Sequence, residues 1–540
     1  METAGIILYN GKIVTVDNDF TIAEAVSIQD GKFQAVGSRE MVMAHGGPGT
    51  NMIDLNGKAA IPGVIDSHNH MLLTGLEKQK VSLAGATSVA DVLDIIRDAC
   101  KAAGPGEWIV TMRAGFAPSQ LKENRVANRW ELDRVSPNNP VLLVKGVHFG
   151  VVNSYALKLA NIIKDTQQPA GGVIAKDPES GEPTGGLGDS ALDLIKALLP
   201  KASHEDKVKA LRSVMKDFNA LGITSVIDTW LNLDDLKAYQ ELWANKEMAV
   251  RARIWLTLSA EEMGLGPGTI SRQAGLGPSG DDVLRIDGLK EFLDGGIETG
   301  LLRDPYLTIP GEQDDSGYRG VLMIPQEEFS ELCSVAARNG WRLGVHCTGD
   351  RAIDIVLDAW EELNKKMPIV DRHWVILHGI LARPEHLERI NKLGVYVASQ
   401  HIHTHSSGDR MVKWWGLERA SYSDPIKEYM KNGVMVGGGS DAPSNEWRPS
   451  ILFWFDLTRQ SRASGVLGPG LALTRKESLI YHTINAAHIS NDEDKQGSIE
   501  PGKLADLAVL SDDILTSPVD DIYDMQVLMT MVGGEIVYQR

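Results

Sequence analysis

Apolar and polar positions alternate with period two through the first sixty residues, interrupted by turn dipeptides. IILYNGKIVTVD alternates around Asn10-Gly11, AEAVSIQDGKFQAVG around Asp30-Gly31, and MIDLNGKAAIPG around Asn56-Gly57. Asn-Gly and Asp-Gly supply the positive φ angles of tight two-residue turns, so each run predicts a hairpin. The C-terminus returns to this pattern: GSIEPGKLADLAVLSDD and VLMTMVGGEIVYQR predict two more strand pairs. Neither terminal piece is long enough for a stable sheet alone. Residues 1–60 and 491–540 are therefore expected to build one β-sandwich together.

Between the two ends the period changes. The runs AAIPGVIDSH, ITSVIDT, LRIDGLKEFLD, WRLGVHC, HWVILHG, GVYVASQ and VMVGGGSD predict strands. Helical spacing predicts helices in SHEDKVKALRSVMKDFNALG, PQEEFSELCSVAARNG, DRAIDIVLDAWEELNKK and RPEHLERINKLG. Gly222, Gly340 and Gly394 stand where those helices should stop. Strands alternating with helices imply a parallel sheet, and so many repeats of the unit suggest a (β/α)8 TIM-type barrel. The fold class is α/β, with the barrel over 61–74 and 204–490. Residues 75–203 break the rhythm, being irregular and rich in Gly, Pro and Asn. They read as an α/β subdomain inserted after the first barrel strand and packed over the barrel mouth.

Composition narrows the partners. The 540 residues are 43% apolar and 23% charged, as in soluble globular proteins, which excludes a fibre or a long disordered tail. Acidic residues exceed basic ones by 72 to 54, for a net charge of -18. That balance argues against nucleic acid and anionic membranes as partners and leaves a small-molecule substrate. Cys100, Cys333 and Cys347 give no disulfide framework and fit a reducing compartment. The sequence shows neither a signal peptide nor a run of 18 apolar residues, so a cytoplasmic protein is expected, with a homodimer as the base-rate assembly.

The informative positions are polar residues that end apolar strands. VIDSHNH places His68 and His70 two apart, on one side of a strand. LGVH ends at His346, WVILH at His378 and VMVGGGSD at Asp441, while Lys290 lies near the end of its run. In a barrel the C-terminal strand ends form the active-site face, so these residues converge. Several histidines and a carboxylate suit zinc or a similar divalent ion, which makes hydroxide available near neutral pH. Asp441 is then placed to take the proton and pass it to a leaving group.

As a set, PGVIDSHNH, VHFGVVNSYAL, GITSVID, KEFLDGG, VHCTGDRAID, LHG, GVYVASQ, GGGSDAP and GSIEPGKLADLAVL resemble the amidohydrolase superfamily, in its amidohydrolase 3 branch. The resemblance covers essentially the whole chain. It implies a metal-dependent hydrolase of C–N bonds in amides, formamides or N-acyl compounds. The alternatives are a lactone, ester or carbamate hydrolase on the same site and, remotely, a non-catalytic scaffold. It further implies that His68 and His70 hold one metal, that His346 and His378 hold a second, and that carboxylated Lys290 bridges the two. With Lys290 unmodified, a single ion on His68, His70, His346 and Asp441 is expected. Zn2+ is the expected metal, one or two per chain.

The same resemblance makes His148 a substrate contact, although Gly146 and Val147 stand where the family has Asp-Gly. QHIHTHSS spaces His401, His403 and His405 by two; read as a strand, they share a face, and His403 is the substrate-side candidate. Trp414, Trp415 and Trp447 fall on segments that could line an apolar pocket, and Trp415 is carried as a substrate contact. Asp294 reads as structural, Glu298 stays open, and Cys347 should point away from the metal.

Overall fold

The protein is described from a computed structural model, which covers residues 3–112, 121–145, 149–169, 172–257, 279–308 and 317–540. Two compact units appear, one of residues 1–71 with 212–540 and one of residues 72–211.

The larger unit contains the barrel. Its strands are β1 (Val64–Asn69), β2 (Ile223–Leu231), β3 (Arg251–Thr257), β4 (Leu284–Phe292), β5 (Arg342–Cys347), β6 (Val375–His378), β7 (Tyr396–Ser399) and β8 (Val436–Gly438). They pair parallel in chain order from β1 to β8. No regular ladder joins β8 to β1. Individual bonds close that seam instead: Asp441 N donates to His68 O at 2.9 Å and His70 N to Ala442 O at 3.0 Å. Helices α1 (Gln326–Arg338), α2 (Asp350–Lys366) and α3 (Pro384–Lys392) follow β4, β5 and β6. In α2, Ala352, Ile353, Val356, Leu357, Trp360 and Leu363 recur at helical spacing and are buried. Gly222, Gly340 and Gly394 all have positive φ, the conformation that stops a helix at low cost in glycine.

Sequence reading missed β3. Its arginines disguise a strand whose seven residues are all buried. Arg253 donates to Asp492 at 2.6 Å, and Arg251 makes two bonds to Asp506, at 2.7 and 3.0 Å. Both charges are therefore paired out of water, the condition under which arginine enters a core. Between them and the site, Trp255 fills the barrel with Ile227, Val375, Leu377 and Ala398. Space for its ring exists because Gly288 and Gly344 lack side chains: a Cβ there would lie 2.5 and 2.1 Å from Trp255.

Both termini build the sandwich, as expected. One sheet runs in the order Lys32–Gly37, Ala25–Gln29, Ile6–Tyr9, Asn51–Asp54. The other runs Glu535–Gln539, Val527–Val532, Leu507–Leu510, Ala59–Pro62, Lys12–Val14, Ile22–Ala23. Leu8, Val26, Ile28 and Phe33 pack against Ile13, Leu507, Val509, Met529 and Met531 in the core. Fully burying each such side chain stabilises the fold by about 1.5–3 kcal/mol.

Two of the three predicted N-terminal hairpins are not hairpins. Asp30-Gly31 does join paired strands. The strands around Asn10-Gly11 and Asn56-Gly57 lie in opposite sheets, so these turns carry the chain from one layer to the other. The two corners interlock. Asn10 Nδ2 donates to Asp54 Oδ1 at 2.7 Å, and a Cβ on Gly11 would sit 2.6 Å from Leu55. AAIPGVIDSH is likewise two strands, Ala59–Pro62 in the sandwich and Val64–Asn69 in the barrel.

The smaller unit has a five-stranded sheet in the order Gly172–Lys176, Pro183–Asp189, Phe149–Val152, Val141–Lys145, Ile109–Val110. A helix over Val89–Ala102, capped by Ser88 and Asp91, buries Val89, Val92 and Ile96 against Ile109, Val141, Leu143 and Val151. Among the described residues, no helix is long and apolar enough to cross a membrane.

Candidate active site

The strand-end residues predicted to converge do so. His68 and His70 leave β1 and its end, Lys290 lies on β4, His346 on β5, His378 ends β6, and Asp441 follows β8. Ring centroids of His68 and His378 are 4.8 Å apart, and those of His346 and His378 are 4.3 Å apart. Asp441 Oδ1 lies 3.3 Å from His68 Nε2 and 3.1 Å from His70 Nε2. Lys290 Nζ lies 3.4 Å from His68 Nε2. All except His346, which is slightly more open, are buried.

Burial sets the electrostatics. It pushes His68 and His378 well below the usual histidine range and His346 to about 3, with the Lys290 charge acting the same way on all three. These imidazoles are neutral at pH 7, the form that binds metal. Burial also lowers Lys290 to about 8. Roughly a tenth of it is then a neutral amine at pH 7, far more than in a free lysine. Burial works the other way on Asp441, but hydrogen bonds with His403, His68 and His70 outweigh it and hold the carboxyl well below its usual range.

The donor set fits a divalent ion. Buried Nδ1 atoms of His68, His346 and His378 have no hydrogen-bond partner, which is unusual for polar atoms inside a protein. His70 Nδ1 lies 2.7 Å from Thr229 O, a contact that orients the ring and turns Nε2 toward Asp441 at 3.1 Å. His68, His70 and Asp441 place one ligand atom each within 4.8 Å of one another.

The remaining candidates separate. QHIHTHSS is not a strand: His401 precedes helix α4 (Ile402–Trp415), which holds His403 and His405. Residues two apart on a helix point in different directions, so the three histidines part company. His403 Nε2 faces Asp441 Oδ2 at 3.3 Å, whereas His405 Nδ1 meets Gln460 O at 2.7 Å. Trp415 packs among Leu302, Tyr306, Leu381 and Met411 with 1% exposure, so it belongs to the core and not to a pocket wall. Asp294 accepts N–H groups of Leu301, Thr348 and Gly349 at 2.8–2.9 Å and ties the end of β4 to that of β5. Cys347 is fully buried. His148 lies outside the described residues.

Residues 51–538 match the amidohydrolase family. The chain belongs to that family. The amidohydrolase is 30% identical to the N-substituted formamide deformylase of Arthrobacter pascens, over 99% of this chain and 98% of that protein. It is 28% identical to the putative amidohydrolase YtcJ of Bacillus subtilis, over 99% of both chains. A solved structure of a metal-dependent hydrolase from Pyrococcus horikoshii shares the fold, with a TM-score of 0.76 and 24% identity over 95% of this chain and 99% of that one.

Sequence reasoning missed several residues of this amidohydrolase's site. Trp230 packs 5.8 Å from His70 and 5.5 Å from Phe292, and Phe292 lies 5.1 Å from His346, so an aromatic arc borders the imidazoles. Both rings stand at strand ends, but they are apolar, so a rule that looks for polar residues ending apolar strands passes over them. Asp66 accepts from Ser440 N at 2.9 Å, Ser440 Oγ at 2.6 Å and Asn69 Nδ2 at 2.7 Å. It thereby holds the residue before Asp441 against β1.

Proposed function

We propose that this amidohydrolase cleaves a C–N bond in an amide, formamide or N-acyl compound. The observation that carries the reading is the convergence of His68, His70, His346, His378, Lys290 and Asp441 at one end of the barrel, all but His346 buried. His68 and His70 would hold one ion with Asp441, and His346 and His378 a second. Lys290, lowered to about 8, would react as a free amine with CO2, releasing a proton, and the resulting carbamate would offer its oxygens as further ligands. A divalent ion at such a site, of which Zn2+ suits the nitrogen-rich donors, lowers the pKa of water from 15.7 to ~7 and polarises a carbonyl.

The chain's own groups do the rest. Asp441 is ionised and accepts the proton released as water attacks the carbonyl carbon, then returns it to the leaving nitrogen. His403, raised above the ordinary histidine range chiefly through its bond to Asp441, which outweighs burial, orients that carboxylate and faces the substrate. Trp230 and Phe292 would offer an apolar wall on one side. His148 stays a proposed substrate contact.

The test is a panel of amides, formamides, esters and lactones, given to protein loaded with Zn2+ in bicarbonate. Hydrolysis confined to C–N substrates is expected. Turnover of esters or lactones alone would overturn the bond assignment.

A further inference from the structure

A second cluster of ligand-type side chains lies behind the catalytic residues and takes no part in the chemistry above. His401 stands between β7 and α4. Asp456 lies on helix α5 (Pro449–Thr458), and His482 ends helix α6 (Arg475–His482). All three are at most 2% exposed, and one ligand atom from each lies within 4.8 Å of the others.

The internal geometry of this cluster is poorly explained by hydrogen bonding. Asp456 Oδ2 is satisfied: Ser478 Oγ donates to it at 2.6 Å, and His482 Nε2 lies at 3.1 Å. Asp456 Oδ1 and His401 Nε2 approach to 2.9 Å, yet the two atoms lack the alignment of a regular hydrogen bond. At that distance only direction can fail, so the oxygen lies well off the axis of the ring nitrogen. Two ligands bound at ~2.1 Å to one ion stand roughly 3.0–3.4 Å from each other, for angles between a right angle and the tetrahedral one, and off-axis in this way.

The tautomer of His401 agrees. Tyr481 OH donates to Ser399 O at 2.8 Å, leaving its lone pair toward His401 Nδ1 at 3.4 Å. With the proton on Nδ1, Nε2 presents a bare lone pair to a carboxylate oxygen. A cation between them removes that repulsion.

We propose that His401, Asp456 and His482 form a further metal site, distinct from the catalytic centre, for a divalent transition ion of the Zn2+ type. Two imidazoles and one carboxylate favour Zn2+ or Co2+ over Mg2+ or Ca2+, which take oxygen ligands. The site joins the start of α4 to α5 and α6. His403 lies two residues past His401 and meets Asp441, so the ion anchors the turn that positions His403.

The experiment counts ions. Metal-free protein is saturated with Zn2+, passed through a desalting column and analysed for zinc per chain. Wild type, Asp456→Asn and His68→Asn/His70→Asn are compared, and circular dichroism confirms folding. Asp456→Asn should hold one ion fewer than wild type, and the His68→Asn/His70→Asn protein should keep an ion that adding Asp456→Asn removes. With Co2+, that retained ion should absorb in the visible and lose its band on the same substitution. If Asp456→Asn does not fold, His401→Gln is read in the same way. Unchanged zinc in a folded Asp456→Asn protein, or no zinc in the His68→Asn/His70→Asn protein, would overturn the proposal. The second result would leave the catalytic reading intact, whereas zinc held only through Asp456 would support this site and sink the catalytic one.

Discussion

Three residues around the site adopt left-handed backbone: Trp230 at φ 73°, His378 at 70° and Asp441 at 59°. Such angles are costly outside glycine and persist only where the surroundings impose them, which is common at functional positions. For Asp441, Asp66 and Ser440 impose it. Asp441→Asn preserves shape but cannot carry the proton. Turnover should fall by a factor of about 10³ or more with zinc content unchanged, and near-normal kcat would refute the role. Glu291 offers a test of charge inside the structure. Burial raises its carboxyl to about 7 against an ordinary value of 4.5. The folded state therefore holds its proton longer than the unfolded state does, and that share of stability is full below pH ~4.5 and lost as pH rises through ~7. Glu291→Gln should accordingly gain on wild type between pH 5 and 8, by up to about 3 kcal/mol, in urea unfolding of metal-free protein. An equal difference at both pH values would contradict the assignment.

At the level of elements, the place of the candidate site was more legible in the sequence than the wiring. Five barrel strands end in, or run on to, the polar residues singled out after an apolar run, as His346 follows Leu343–Val345. β3 did not stand out, because Arg251 and Arg253 carry their charges inside and their partners Asp506 and Asp492 lie some 240 or more residues away. The Asn-Gly corners were misread because a turn's local geometry does not reveal which sheet the next strand joins. His401 and His405 were misgrouped because β-like spacing was assumed where a helix begins. The Arg251–Asp506 pair is 4–5% exposed, so removing one partner strands a buried charge. Arg251→Met should cost about 3–5 kcal/mol in urea unfolding. The double variant with Asp506→Leu should recover most of that loss, and purely additive losses would show that the two charges do not act as a pair.

Across the whole molecule, the C-terminal hairpin supports the barrel as well as the sandwich. Thr530 Oγ1 donates to Asn219 O at 2.6 Å, and Val527–Val532 covers Leu507–Leu510. Truncation before Val527 should leave Leu507 and Val509 exposed and yield aggregated protein by size-exclusion chromatography. A monodisperse, active product would show the hairpin to be dispensable. The unladdered seam between β1 and β8 has a consequence in time. Asp441 N to His68 O and His70 N to Ala442 O are the bonds that shut the ring, and they belong to the residues that meet in the site, 371 positions apart in the case of His70 and Asp441. During synthesis His68 and His70 leave the ribosome long before their counterpart exists, and contacts of such separation form late. The nascent chain therefore carries no half-built catalyst. On the proposed roles, reactivity would arrive in one step, when the eighth strand docks, and an interrupted translation product would be inert.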